Sequence, residues 1–242
     1  MATMYAESSD GYQASGLKST WNDAHDNVGQ SSPWICSTVY NFAIGAEYVP
    51  GRNKYYIRRT FFDFDTSAIS ITPSNLILNI YITSTSYDNS PLIILKSGHD
   101  PTDFTEDWYS TWLTGLGGTI SGWSNTDSEV VLYSKAVLTA GQGSGYAEIP
   151  LNSQARQDMV NNSSLKMVVM DYTYDYMDYA PTAGGAANYT GIHYVNYTGT
   201  SRDPKLTFGG GYHDGDVSGV INASVGKVNG VATDNLGEVN GI

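Results

Sequence analysis

Cysteine is all but missing from this chain of 242 residues: Cys36 stands alone. No intramolecular disulfide can form, so the fold does not rely on oxidation. His25, His99, His193 and His213 show no His-x-x-x-His or Glu-x-x-His spacing, and no zinc site is expected. Positive charge is also scarce, with 12 Lys and Arg against 24 Asp and Glu and a net charge of −12. Phosphate binding needs clustered Lys and Arg, so nucleic acid is excluded as a partner. The same charge suits a protein that stays soluble at high concentration. No stretch approaches the roughly 18 apolar residues of a membrane span, and membrane insertion is not expected. The opening Met1-Ala2-Thr3-Met4-Tyr5-Ala6-Glu7 has neither a basic region nor an apolar run. The expectation is a chain without a signal peptide, made in a cytoplasm.

What is present favours strands. Tyr occurs 19 times and Gly 26 times, beside abundant Ser and Thr. Strand signals run at Met4–Ala6, Tyr12–Ala14, Val39–Ile44, Tyr55–Asp65, Leu76–Thr83 and Pro91–Leu95. They continue at Val130–Leu138, Tyr146–Ile149, Leu165–Tyr172, His193–Tyr197 and Lys205–Phe208. The clearest is Leu76–Thr83, where Leu76, Leu78, Ile80 and Ile82 share one face. Only two helices are expected. One is short, around Thr102–Tyr109; the other opens on Asn152 or Ser153 as N-cap and ends at Asn161-Asn162. Many short strands with scarcely any helix predict an all-β fold, an antiparallel β-sandwich over residues 1–208. Gly209-Gly210-Gly211 then opens a linker to a separate tail, residues 209–242.

That tail repeats itself. Val217-Ser218-Gly219-Val220, Val228-Asn229-Gly230-Val231 and Val239-Asn240-Gly241-Ile242 are eleven residues apart, and Val225-Gly226-Lys227 is echoed by Leu236-Gly237-Glu238. Two glycines per copy make a helix costly, at about 1 kcal/mol each relative to Ala. Asn-Gly between β-branched residues signals a tight turn instead. So few copies cannot bury a core alone. Val217, Val220, Val225, Val228, Val231, Leu236, Val239 and Ile242 therefore call for another surface, that of sister subunits or a partner protein. The plainer alternative is a disordered terminus.

Candidate chemistry is thin. Asp63 and Asp65 alternate with Phe62 and Phe64, and Asp171, Asp175 and Asp178 interleave with tyrosines. Either set could be a catalytic pair or calcium ligands, yet no calcium-loop spacing is met. Gly-x-Ser-x-Gly is absent, and Gly115-Leu116-Gly117-Gly118 lacks the strand and helix of a phosphate cradle. No enzyme signature emerges. Aromatics are the stronger signal: Trp108, Trp112 and Trp123 lie close together, as do Tyr172, Tyr174, Tyr176 and Tyr179. Exposed rings beside acids and amides make a sugar-stacking platform, with Trp108, Trp112, Trp123, Tyr174 and Tyr176 as its candidates. The same residues would equally serve as core or inter-subunit packing.

Arg58-Arg59-Thr60-Phe61-Phe62-Asp63-Phe64-Asp65-Thr66-Ser67-Ala68-Ile69, followed by Leu76-Ile77-Leu78-Asn79-Ile80-Tyr81-Ile82, resembles the core of the jelly-roll domains labelled DNRLRE. These are related to carbohydrate-binding modules. Tyr197-Thr198-Gly199-Thr200-Ser201-Arg202-Asp203-Pro204-Lys205-Leu206 is similar to the closing strand seen with that core in tailed-bacteriophage structural proteins, and Asp10-Gly11-Tyr12 fits the same group. The Val-Asn-Gly-Val tail resembles C-terminal repeats of phage virion proteins. The resemblance implies a jelly-roll virion subunit, as capsid decoration, head fibre or tail appendage. It would be homo-oligomeric, a trimer being the expected form, with other virion proteins as partners. A carbohydrate-binding module reading a host-surface glycan is the alternative, and a glycan-degrading enzyme is the weakest. No cofactor is required, calcium being the one candidate.

Overall fold

The computed structural model describes residues 1–7, 10–26, 34–35, 41–86, 91–99, 126, 130–136, 145–182, 188–193, 200–209, 227–228 and 231–232. The strands are β1 (Ala2–Tyr5), β2 (Gly11–Ala14), β3 (Trp34–Ile35), β4 (Asn41–Val49), β5 (Lys54–Asp65), β6 (Asn75–Ser86) and β7 (Leu92–Lys96). They continue with β8 (Leu132–Ala136), β9 (Gly145–Pro150), β10 (Ser164–Asp171), β11 (Asn188–His193), β12 (Lys205–Gly209), β13 (Lys227–Val228) and β14 (Val231–Ala232). Two α-helices are described, α1 (Trp21–His25) and α2 (Ser153–Asn161).

Among the described residues every strand pairing is antiparallel. One hydrogen-bonded path runs β1-β12-β6-β11-β4-β5-β10-β7-β8, with β9 also on β6, β2 on β5 and β3 on β2. The path folds back on itself. Leu76, Leu78, Ile80 and Ile82 of β6 share a single buried cluster with Phe62 and Phe64 of β5, Met167 and Val169 of β10 and Ile94 of β7. The half centred on β6 thus faces the half centred on β5 across one core, an all-β, sandwich-like arrangement. β4 and β11 carry the sheet between the halves. Gly45 of β4 pairs with both Arg58 and Tyr189 at φ 144°, a value that suits glycine.

The alternation expected of β6 is present, since all four of its even-numbered aliphatics are buried. Phe62 and Phe64 point into the core together, as the alternation requires. The far face of β5 is covered too: Ile57, Arg59, Phe61 and Asp63 are all buried. α2 closes one side of the core with Ala155 and Met159. Its N-cap is Asn152, whose Oδ1 accepts from the Ala155 amide at 3.1 Å while its Nδ2 donates to the Leu132 carbonyl at 2.7 Å.

The first strand and the last strand before the tail meet in the sheet. β1 pairs with β12, Met4 opposite Leu206, and the chain then crosses to the other half. Ala6 N–H donates to the Pro204 carbonyl at 3.0 Å, and Glu7 N–H to the Asp63 carbonyl at 2.9 Å. Of the strand expected at His193–Tyr197 only His193 lies among the described residues, and it ends β11, Asn188–His193, which pairs with β4 and β6 and shifts register at Gly191/Ile192. Strand pairing also continues one residue past Phe208, because Gly209 opposes Asn75. The helix expected at Thr102–Tyr109 lies outside the described residues. α1 was not expected at all. In the tail, Lys227 pairs with Ala232 and Val228 with Val231, two residues apart as an Asn-Gly turn demands. Val217, Val220, Val225, Leu236, Val239 and Ile242 lie outside the described residues.

Candidate functional site

The acidic, tyrosine-rich segment after β10 coils into a π-helical turn, Tyr172–Tyr176. Met177 N–H donates to Tyr172 O and Tyr179 N–H to Tyr174 O, both at 3.0 Å and both five residues back. Asp171 starts the turn as its cap, Oδ1 accepting from the Tyr174 amide at 2.8 Å. Asp178 ends it at φ 55°, a left-handed value that Asp tolerates.

The turn is held by a buried arginine. Arg59 and Asp175 are each 0% exposed, and the guanidinium forks onto the carboxylate, Nε to Oδ2 at 2.8 Å and Nη2 to Oδ1 at 2.6 Å. Nη2 also donates to the His25 carbonyl at 3.2 Å, which ties α1 to the same centre. Trp21, at the start of α1, donates its indole N–H to Asp178 Oδ1 at 2.7 Å. His25 sits between the two elements. Its Nδ1 faces Asp26 Oδ1 at 2.5 Å and its Nε2 faces the Asp175 carbonyl at 2.7 Å. Both neighbours are acceptors, so both ring nitrogens must carry protons. Burial alone would push its pKa down; the Asp26 hydrogen bond and the charges of Asp175 and Asp178 outweigh it, and the net shift is upward.

The sign of the pH dependence follows. A histidine whose folded pKa is raised contributes stability that is complete below its unfolded value, about 6.5. That contribution is lost as pH rises through the raised folded value. The stability difference between wild type and His25→Asn should therefore be flat below about pH 6.5 and shrink above it. A difference that does not vary across this range would show that the imidazole is neutral in the fold.

Three of the acids singled out in the sequence are thus engaged by the protein itself: Asp171 by Tyr174, Asp175 by Arg59 and Asp178 by Trp21. Asp63 and Asp65 also differ from a catalytic pair. Asp63 is buried, whereas Asp65 is exposed, and hydrogen bonds from the Ser67 side chain and then from its amide, at 3.0 Å, hold its pKa low. The tyrosines divide by depth. Tyr174 packs on the cluster of Trp21, Ala24, Ala46 and Ile57. Tyr172 and Tyr176 pack on Phe61, Ile93, Leu95, Val168 and Met170 with their rings stacked, centroids 5.6 Å apart at 22°. Lys135 Nζ lies 3.2 Å over the Tyr172 ring, so this face is capped by a cation, and Tyr179 is 58% exposed. Trp108, Trp112 and Trp123 lie outside the described residues.

Sequence reasoning missed Arg59, His25 and Trp21. One signal was available for Arg59: it shares strand parity with Phe61 and Ile57, residues of the covered outer face. A separate concavity of about 450 Å³ lies near the end of α2, lined by Lys96, Ser97, Tyr133, Asn161, Ser164 and Lys166 among others, and shares no wall with the tyrosine turn. No described helix is long and apolar enough to cross a membrane.

Fold and site together define an antiparallel β-sandwich whose outer face is braced by a buried ion pair and presents stacked tyrosines. No protein-family model matches the chain, and no curated protein matches it.

Proposed function

We propose that this protein is a structural subunit of a tailed-bacteriophage virion, a non-enzymatic jelly-roll that serves as capsid decoration, head fibre or tail appendage. It docks on the particle and on sister subunits, as a trimer, through residues 209–242. The observation that carries the reading is the pairing of Val228 with Val231, which makes one copy of the eleven-residue repeat a tight antiparallel hairpin. Such hairpins present paired edges for further strands. The arrangement of β12 supports it: the strand that precedes residues 210–242 ends at Gly209 and pairs with the N-terminal strand β1. The segment resembling the phage jelly-roll core is also the segment that builds β5 and β6. Such a subunit is made in the host cytoplasm and resides in the virion.

A second reading, the carbohydrate-binding module, has one specific observation behind it, the stacked rings of Tyr172 and Tyr176. One experiment separates the two. A chain ending at Gly209 is expected to keep the sandwich and its thermal unfolding, but to lose self-association and particle attachment. If the shortened chain assembles and attaches like the full one, the docking role of the tail is wrong. Retained binding to a glycan panel by the same shortened chain would instead support the second reading.

A further inference from the structure

Where β4 turns into β5, the sandwich carries a concavity of about 490 Å³, lined by Leu17, Glu47, Val49, Arg52, Tyr56 and Arg58 among others. Its floor follows from register. Glu47 stands opposite Tyr56 and Val49 opposite Lys54, while Arg58 faces Gly45, which offers no side chain. Lys54, Tyr56 and Arg58 share the strand parity of Phe62 and Phe64, the residues that enter the core further along β5. Here, past the end of that core, the same face is half-buried instead of sealed. The segment between β2 and α1 forms the other wall. Ser15 N–H donates to the Ile57 carbonyl and Lys18 N–H to the Tyr55 carbonyl, both at 2.9 Å, and Leu17, between these anchors, is 40% exposed.

The groove has a sign. Arg58 lies over the Tyr56 ring at 4.2 Å, and its Nη2 donates to Glu47 Oε1 at 3.3 Å, so ring and carboxylate hold the guanidinium in place. Glu47 is the one acid among the described lining residues, against Arg52 and Arg58, and Lys54 follows on the same face of β5. The protein as a whole has only 12 Lys and Arg and a net charge of −12. A cationic groove with Leu17 and Val49 in its walls therefore fits an extended segment that alternates acid with aliphatic.

The tail holds such a segment. Residues 209–242 contain four carboxylates, Asp214, Asp216, Asp234 and Glu238, and one lysine, Lys227. Asp234, Leu236 and Glu238 recur at every second residue, so an extended chain would present all three on one face. Its two acids would then lie about 13 Å apart, the same four-residue span that separates Lys54 from Arg58 on β5. The preceding copy of the repeat has Ala223, Val225 and Lys227 at these positions, so of the two full copies only the second carries the match.

We infer that the groove of Leu17, Val49, Arg52, Tyr56 and Arg58 receives the acidic segment Asp234-Asn235-Leu236-Gly237-Glu238 of a sister subunit. The inference rests on the tail's proposed docking role and names the surface on which it docks. Arg52 and Arg58 take the two carboxylates, and Leu236 packs against Leu17 and Val49.

The test is sedimentation of the full chain with charges exchanged across the contact. Asp234→Lys and Glu238→Lys should each weaken self-association by about tenfold. Arg52→Glu should do the same; Arg52 is an exposed turn residue whose hydrogen bond to Val49 runs through its backbone amide. Arg52→Glu should also restore association to whichever of the two tail variants faces it, and rescue of neither overturns the inference. Removing acids from so negative a chain would by itself favour association, so net charge cannot account for the weakening. If none of these changes moves the association constant while Val228→Ser with Val231→Ser abolishes it, the groove is overturned and the proposed function stands. A full chain that stays monomeric overturns the proposed docking instead. A labelled synthetic peptide of residues 229–242, followed by anisotropy against the full chain, then decides the groove separately. Binding that is lost on Arg52→Glu supports the inference; no binding, or binding that Arg52→Glu leaves unchanged, overturns it.

Discussion

Replacing Arg59 with methionine is expected to destabilise the protein by about 3–5 kcal/mol, the largest effect of any single polar substitution. The reason is Asp175 rather than Arg59. The two side chains are fully buried and joined by two short charge-assisted hydrogen bonds. Removing the guanidinium leaves an uncompensated carboxylate under the π-turn and removes the tie to the His25 carbonyl. The pair itself need not be strongly stabilising, because desolvating both charges offsets most of their attraction. A double variant, Arg59→Met with Asp175→Leu, should therefore recover much of the loss. Equilibrium denaturation of the two variants settles the matter. A single-variant cost under about 1 kcal/mol would mean that water reaches the centre and screens it.

Leu78→Ala should cost about 2–5 kcal/mol. Leu78 is fully buried, and its cross-strand neighbours are Leu206 of β12 and Ile149 of β9, both in the same core. The surrounding strands are hydrogen-bonded on both sides of β6, so the backbone has little freedom to collapse into the space left behind. Ile77, one residue away on the other face, is only half-buried, and truncating it should cost clearly less. Equal losses at the two positions would show that the faces of β6 are assigned wrongly.

How much of this was legible follows from range. β6 could be read because its signal is local: four aliphatics at a period of two need no knowledge of the partner strands. The same holds for α2, whose cap Asn152 and last residues announce both ends. β11 was harder. Asn188-Tyr189-Thr190-Gly191-Ile192-His193 carries little alternation, and its place is set by β4 and β6 on either side. α1 is five residues long, too short for any periodic signal.

The site was legible only in part. The tyrosine and aspartate run stood out by composition, but what holds it did not. Arg58 and Arg59 look alike in sequence; in the fold Arg58 is half-exposed over Tyr56 beside Glu47, and Arg59 is sealed on Asp175, 116 residues away. Asp63 stood out only beside Asp65, and nothing in the sequence showed that Asp63 would be buried and Asp65 exposed.

The placement of β12 has a mechanical consequence. The strand lies between β6 on one side and β1 on the other, and Gly209 is its last residue. A pull applied to Gly209 along β12 would load the ladders on both flanks together in shear instead of opening one bond at a time. A sandwich hung by this strand would stretch its tether before it tore its sheet.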